Sequence, residues 1–251
     1  MTTRKSLNLP PVNISEQDGV RFLHLDSPWI QGSMTIKKPF EIELEYVQRM
    51  MAWLLFVDLA QVKTMQTMHL GLGAATATKF CYKTLKASAT TVELNPQVIA
   101  ACRTHFKLPP DDARLRVVLA DAGLEIQKPE YAGTFDALHV DLYDDQAAAP
   151  VLDSAAFYGH CRTLLSERGA MAVNLFGRYA SYEASVKKIS QAFGTDAVWA
   201  FKPTREGNAI VLAQRSPSRP PRNALMQQAE AIEAAYDLPA MKWLRVFKPL
   251  V

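Results

Sequence analysis

From residue 67 to residue 175, short strand-like runs alternate with segments of helical length, and this alternation restricts the fold more than any single motif. The short runs stand near 67–70, 90–94, 115–119, 135–141 and 170–175, and the longer segments at 75–86, 96–106, near 121–127 and at 154–166. Antiparallel strands can be joined by a tight turn, whereas parallel strands need a crossover of a dozen or more residues, usually a helix. The pattern therefore predicts an α/β protein with a doubly wound, mostly parallel sheet. A helix near 181–193 and two strands, near 197–201 and 208–213, complete it.

The flanks read differently. Residues 20–36, VRFLHLDSPWIQGSMTI, form short alternating runs split by DSPW and QG, the pattern of a β-hairpin or small antiparallel sheet. Residues 43–59 carry a helical apolar stripe that includes Met50, Leu54 and Val57, expected to pack on the next domain. The proline-rich SPSRPPR at 216–222 leads to a terminal helix at 223–236, expected to serve packing or subunit contact. Three parts follow: an N-terminal extension with a small β domain (1–42), the α/β domain (43–215), and a linker with a C-terminal helix (216–251). A homodimer is expected.

Composition narrows the partners. A chain of 251 residues that is 49% hydrophobic can bury a large core. Its 28 basic and 25 acidic residues are mixed along the chain, so no basic stripe argues for nucleic acid or a membrane surface, and a small-molecule ligand is expected. Cys81, Cys102 and Cys161 are odd in number and widely spaced in apolar segments, which fits reduced, buried thiols and a cytoplasmic location. No apolar run reaches the roughly 18 residues of a membrane span, and the start MTTRKSLNLPPVN lacks the apolar core of a secretory signal.

The chemistry gathers at strand tips. Open α/β sheets bind ligands in the crevice beyond the carboxyl ends of their strands. After the first strand of the sheet, HLGLGAAT (69–76) opens a helix, and Gly71 and Gly73 would let backbone approach a ligand without a Cβ in the way. A tight turn with no ligand is the rival reading of a lone Gly-x-Gly. Twenty residues after Gly73 the second strand ends at Glu93, where a carboxylate can accept both hydroxyls of a ribose, while Asn95 and Pro96 cap and start the next helix. The third strand ends in Asp121, an adenine-amino partner or equally the cap of the helix starting at Ala122. The fourth, FDALHVDLYDD (135–145), runs into Asp141, Tyr143, Asp144 and Asp145, more acid than one helix cap needs. A dinucleotide fits poorly. Thr76 occupies the place of its third small residue, no basic residue lies nearby, and the acids would repel phosphates. A cationic nucleoside such as S-adenosylmethionine, in a class I methyltransferase-like, Rossmann-like sheet, suits the residues better.

The order IQG (30–32), ELEY (43–46), LGLGAAT, VELNPQVIAACR, RLRVVLADA, FDALHVDLYDD and FYGHCRTLLSERGAMAVNL (157–175) resembles the spermidine synthases, or polyamine aminopropyltransferases, over about residues 20–215. The resemblance implies a small N-terminal β domain before a Rossmann-like transferase domain. It also implies transfer of an aminopropyl group from decarboxylated S-adenosylmethionine to an amine. On it, Gln31 would touch the donor, Glu93 its ribose, and Asp121 with Ala122 its adenine; Asp141, with Tyr143, would serve as base; Tyr46 and Asp144 would hold the amine substrate. Three departures stand out: Ala74 replaces the acid of the family's glycine turn, Asp145 its proline, and Tyr46-Val47-Gln48 its Tyr-x-Glu. Methyl transfer from intact S-adenosylmethionine, and nucleoside binding without catalysis, are the alternatives. Trp29 is a weaker candidate for the amine site. His69 is expected to be a structural strand-end residue. His24, His105, His139 and His160 show no metal-ligand spacing, the cysteines form no partner pair, and no metal is expected.

Overall fold

A computed structural model describes residues 9–143, 150–176 and 181–250. Two sheets organise it. The smaller is antiparallel, made of β1 (Val12–Gln17), β2 (Val20–Leu25) and β3 (Gly32–Thr35). Sequence reading found only the second and third of these strands. The turn between the first two is Asp18-Gly19, both at positive φ (52° and 79°), as a two-residue hairpin turn compatible with strand twist requires.

The larger sheet has eight strands in the order β11-β9-β10-β8-β7-β4-β5-β6. Its parallel part comprises β4 (Gln66–Leu70), β5 (Ser88–Glu93), β6 (Leu115–Leu119), β7 (Phe135–Val140) and β8 (Leu165–Phe176). The antiparallel edge is β9 (Val198–Phe201), β10 (Asn208–Gln214) and β11 (Phe247–Pro249). Burial explains the near-continuous apolar runs: Ala137 to Val140 in β7 and Thr67 to Leu70 in β4 are all buried, as strands covered on both faces must be. Going outward from β4, the chain proceeds to β5 on one side and to β7 on the other. The strand order reverses there, which makes the β4/β7 crevice the place for a ligand.

Two of the helices are shorter than the expected segments and continue as other helical turns. In place of one helix over 43–59 stand α1 (Glu45–Met50) and a tighter 3-10 segment, Met51–Phe56. Met50 through Leu55 are all buried, so this stretch lies wholly inside the core. The helix expected at 75–86 is α2 (Thr76–Lys79) followed by a π-helical turn, Phe80–Thr84. The remaining connections are α3 (Pro96–His105), α4 (Ala122–Glu125), α5 (Ala155–Leu164) and α6 (Ser181–Phe193). Beyond residue 216 the chain adds α7 (Arg222–Tyr236), α8 (Ala240–Val246) and β11, the last two unforeseen. α7 buries Leu225, Ala229 and Ile232 against Trp53 and Leu54, and Gln228 Nε2 donates to the carbonyls of Leu54 and Val57 at 2.8 and 2.7 Å. Its role here is packing. All three cysteines are free and buried, and no helix among the described residues is long and apolar enough to cross a membrane.

Candidate active site

The turn after β4 is pressed between two other backbones, and this is what its glycines are for. A Cβ on Gly71, at φ +90°, would stand 2.2 Å from the Asp141 carbonyl oxygen, and one on Gly73, at φ +50°, 2.8 Å from that of Gln31. Gly32 answers from the small sheet, where a Cβ would lie 2.5 Å from the Ala74 nitrogen. Sequence reasoning gave Gly71 and Gly73 the task of admitting a ligand. The structure gives them another as well: they let β7 and the N-terminal sheet close on the turn. Any side chain at Gly71 meets both a left-handed backbone and a hard clash.

Asp141 sits at the tip of β7, half-buried, with both oxygens engaged. Tyr46 Oη donates to Oδ2 at 3.1 Å, and Asn174 Nδ2, from β8, donates to Oδ1 at 2.9 Å. Asn208 Nδ2 holds the Asn174 side-chain oxygen at 3.0 Å, fixing which way that amide faces. Burial raises the Asp141 pKa above its ordinary 3.8, and the bonds from Asn174 and Tyr46 oppose the rise. The result is a carboxylate that binds a proton more readily than a free one, held in one orientation by neutral donors. Burial, then the neighbouring Asp141 charge, keeps the Tyr46 phenol protonated well above its usual range. Tyr143 is placed differently. Its hydroxyl donates to the Asn174 carbonyl at 2.9 Å, and burial raises its pKa far above that of a free phenol, so it is no proton acceptor at neutral pH. Asp144, expected to hold the amine, and Asp145 lie outside the described residues.

On the other side of the crevice, Glu93 ends β5. It accepts from the Leu72 backbone N–H at 3.0 Å and from that of Asn95 at 2.8 Å, while Asn95 Oδ1 caps α3 through Gln97 N–H at 2.9 Å. Glu93 is therefore less free than its sequence position suggested: it ties the glycine turn to β5. Burial raises its pKa, with three backbone N–H bonds opposing. A carboxylate has about four acceptor positions, so capacity for a diol remains. Asp121 is exposed and caps α4, its Oδ1 accepting from Leu124 N–H at 3.1 Å, and Ala122 behind it is buried. Asp121 thus caps α4 and lines the cavity as well.

These residues surround one cavity of about 750 Å³, within the range of small-molecule sites. Gln31, Gly71, Gly73, Glu93, Asp121, Ala122, Tyr46, Asp141 and Tyr143 all line it, as does Trp29, which is 59% exposed at its rim. Six carboxylates face it, from Glu43, Glu45, Glu93, Asp121, Asp141 and Glu206, and no lysine or arginine does among the described residues. Glu45 is partly balanced by Arg49 at 2.5 Å. Its two histidines, His69 and His139, are held neutral by burial. Such a field attracts cations and repels phosphates. Sequence reasoning missed Asn174, Asn208 and Glu206. Asn174 had a signal: it is the polar residue inside the apolar run AMAVNLF of a central strand, and a buried amide must find a partner.

No family model matches the chain. A polyamine aminopropyltransferase of Neisseria meningitidis serogroup A is 32% identical over 231 residues, covering 91% of this chain and 86% of the relative. A probable spermidine synthase from Corynebacterium glutamicum superposes with a TM-score of 0.69 at 16% identity, over 87% of this chain and 83% of that one. Human methyltransferase-like protein 13, in complex with SAH, gives a TM-score of 0.70 at 19% identity, over 78% and 93%. The two structures share the fold of this chain. The sequence relationship, covering most of both proteins, goes further: the chain belongs to the polyamine aminopropyltransferase family.

Proposed function

We propose that the chain transfers the aminopropyl group of decarboxylated S-adenosylmethionine to a polyamine or another small amine, with Asp141 as the base. The observation that carries this reading is the cavity lining, six carboxylates with no fixed cation among the described residues. Both reactants are cationic, one a sulfonium with an ammonium and the other a polyammonium. Intact S-adenosylmethionine adds a carboxylate that such a lining disfavours.

The amine arrives protonated, since an alkyl ammonium has a pKa of about 10.4. A protonated nitrogen has no lone pair. Asp141, its proton affinity raised by burial, accepts one proton, and the freed nitrogen attacks the methylene carbon attached to sulfur. The nitrogen–carbon bond forms, the carbon–sulfur bond breaks, and its electron pair neutralises the sulfonium to methylthioadenosine. The leaving group already carries positive charge, so the displacement as written calls on no metal. Tyr46 and Asn174 hold the base in line. Tyr46 and Asp144 would hold the amine chain, and Tyr143 walls the site through its bond to Asn174. Gln31 would touch the donor, Glu93 its ribose, and Asp121 with Ala122 its adenine. We take the working form to be a cytoplasmic homodimer acting on a free small molecule, with neither nucleic acid nor membrane as partner.

Asp141→Asn tests the assignment, because it preserves shape and removes the base. Transfer is expected to fall by about 10²–10⁴-fold, with donor affinity by calorimetry little changed. Full activity in the variant would remove Asp141 from the chemistry.

A further inference from the structure

At the floor of the cavity its two histidines meet a cysteine, with no part in the transfer chemistry. His69 on β4 and His139 on β7 are register partners across the parallel pair, their rings stacked at 4.7 Å and 9°. Cys81 comes from the π-helical turn. One donor atom from each lies within 4.8 Å of the other two, and none of the three residues is more than 2% exposed. Strand positions buried on both faces call for apolar side chains, and an imidazole there costs desolvation unless it is bonded. Bonding does not offset that cost: His69 Nδ1 and both ring nitrogens of His139 have no hydrogen-bond partner. Backbone groups of Met50 and Met68 lie near enough to His139 to favour its protonated form slightly, without forming a bond of proper geometry.

The surrounding network selects the bare atom of His69. Thr67 Oγ1 lies 2.9 Å from the Ser88 carbonyl and 3.1 Å from His69 Nε2, with Cys81 also within its reach, and the arrangement that satisfies the carbonyl gives the hydroxyl proton to Ser88 and leaves the oxygen to accept from His69. In that arrangement Nε2 carries the hydrogen, and the lone pair of the neutral ring is on Nδ1, buried and without a hydrogen-bond partner. A metal-ligating histidine commonly donates its second N–H to a nearby oxygen in this manner. From this geometry we infer that His69 Nδ1, His139 and Cys81 form a binding site for one borderline-soft divalent cation of the zinc class, set at the floor of the substrate cavity. Two imidazoles and a thiol select zinc or cobalt over magnesium or calcium, which want oxygen ligands. Metal–nitrogen bonds of about 2.0–2.1 Å and a metal–sulfur bond of about 2.3 Å bring tetrahedral donors within about 3.3–3.7 Å of one another. An imidazole coordinates through a lone pair in its ring plane, so binding requires the two rings, parallel to within 9°, to rotate out of their stack until both planes meet at the ion. On binding, the Cys81 thiol releases its proton to solvent and coordinates as thiolate. Three protein donors leave the fourth position to water. The positions 69, 81 and 139 are too far apart in sequence to show a ligand motif, which is why no metal was expected from spacing.

Titrating the chelator-stripped full chain with Co²⁺ tests this by absorption. The expected result is a thiolate-to-cobalt charge-transfer band that saturates at one ion per chain and is displaced by Zn²⁺, with a higher melting temperature in Zn²⁺ than in chelator. Cys81→Ser should abolish the band. His139→Ile places an apolar residue where the strand favours one, so the chain should fold, and Zn²⁺ affinity should drop by at least about 100-fold; Thr67→Val, which frees the His69 ring, should cost about 10–100-fold. No band in the wild type, a band that survives Cys81→Ser, or unchanged Zn²⁺ affinity in His139→Ile each overturns the site.

Discussion

Replacing Asn174 by alanine asks how the base is tuned. The bond from Asn174 Nδ2 to Asp141 Oδ1 favours the carboxylate, whereas burial, the larger influence, favours the acid. Removing the bond leaves burial less opposed, so Asp141 should hold its proton to higher pH. A hydrogen bond to a charged group contributes about 1.5–3 kcal/mol, of which water entering the vacated space returns a part. With about 1.36 kcal/mol for each tenfold change in proton affinity, the acidic limb of the kcat/KM profile should move up by about one pH unit. The sign follows from the role: Asp141 must be ionised to accept a proton, so the variant loses activity first at low pH and approaches its plateau later. Tyr46→Phe removes the 3.1 Å bond to the other oxygen and should move the limb the same way. The assay is product formation at low substrate across the acidic range, with donor affinity measured at each pH to separate binding from reaction. An acidic limb that stays in place in both folded variants would refute the claim that Asp141 ionisation controls it.

Two further outcomes follow from named contacts. Glu93→Ala should weaken methylthioadenosine binding by about 1.5–3 kcal/mol by calorimetry, as expected for hydrogen bonds to a charged group; unchanged affinity in a folded variant would leave the ribose without its partner. Lys79 is 1% exposed, its Nζ donates to the Phe106 carbonyl at 2.7 Å, and burial pulls its pKa from 10.5 to about 8. Between those values the unfolded chain binds more protons than the folded one, so this residue makes stability rise with pH through that window, by about 3 kcal/mol in all. Burial raises the pKa of Cys81, Cys102 and Cys161 and acts in the opposite sense above about pH 9, so the readout is the difference: Lys79→Met should lower the slope of stability against pH in urea titrations between these limits, and an unaltered slope would show that Lys79 does not contribute to it.

Much of this was legible in the sequence because parallel sheets write themselves as apolar runs at crossover spacing. The tips of β4, β5, β6 and β7 were placed from that spacing alone, and Gly71, Gly73, Glu93, Asp121 and Asp141 do surround one cavity. What stayed hidden depends on contacts between distant segments. Glu93 had an unseen second task, because only the folded turn brings the Leu72 N–H to it. Gly71 reads as a ligand's glycine until the Asp141 carbonyl is found 2.2 Å from its missing Cβ. The apolar stripe of Met50, Leu54 and Val57 reads as one helix, but Met51–Phe56 is a 3-10 segment, a difference that side-chain periodicity does not register when every residue from Met50 to Leu55 is buried. β1 does carry a local signal, because Asp18-Gly19 is a strong short-range hairpin turn. His69 reads as a structural strand-end residue and His139 shows no metal-ligand spacing; only the strand register brings the two together.

The identity of the nucleoside product tests the central claim most directly. The purified chain, given decarboxylated S-adenosylmethionine with a panel of di- and polyamines, should release methylthioadenosine and an amine lengthened by one aminopropyl group, in equal amounts and with loss of turnover in Asp141→Asn. Formation of S-adenosylhomocysteine and a methylated acceptor from the intact donor, with no methylthioadenosine from the decarboxylated one, would contradict it.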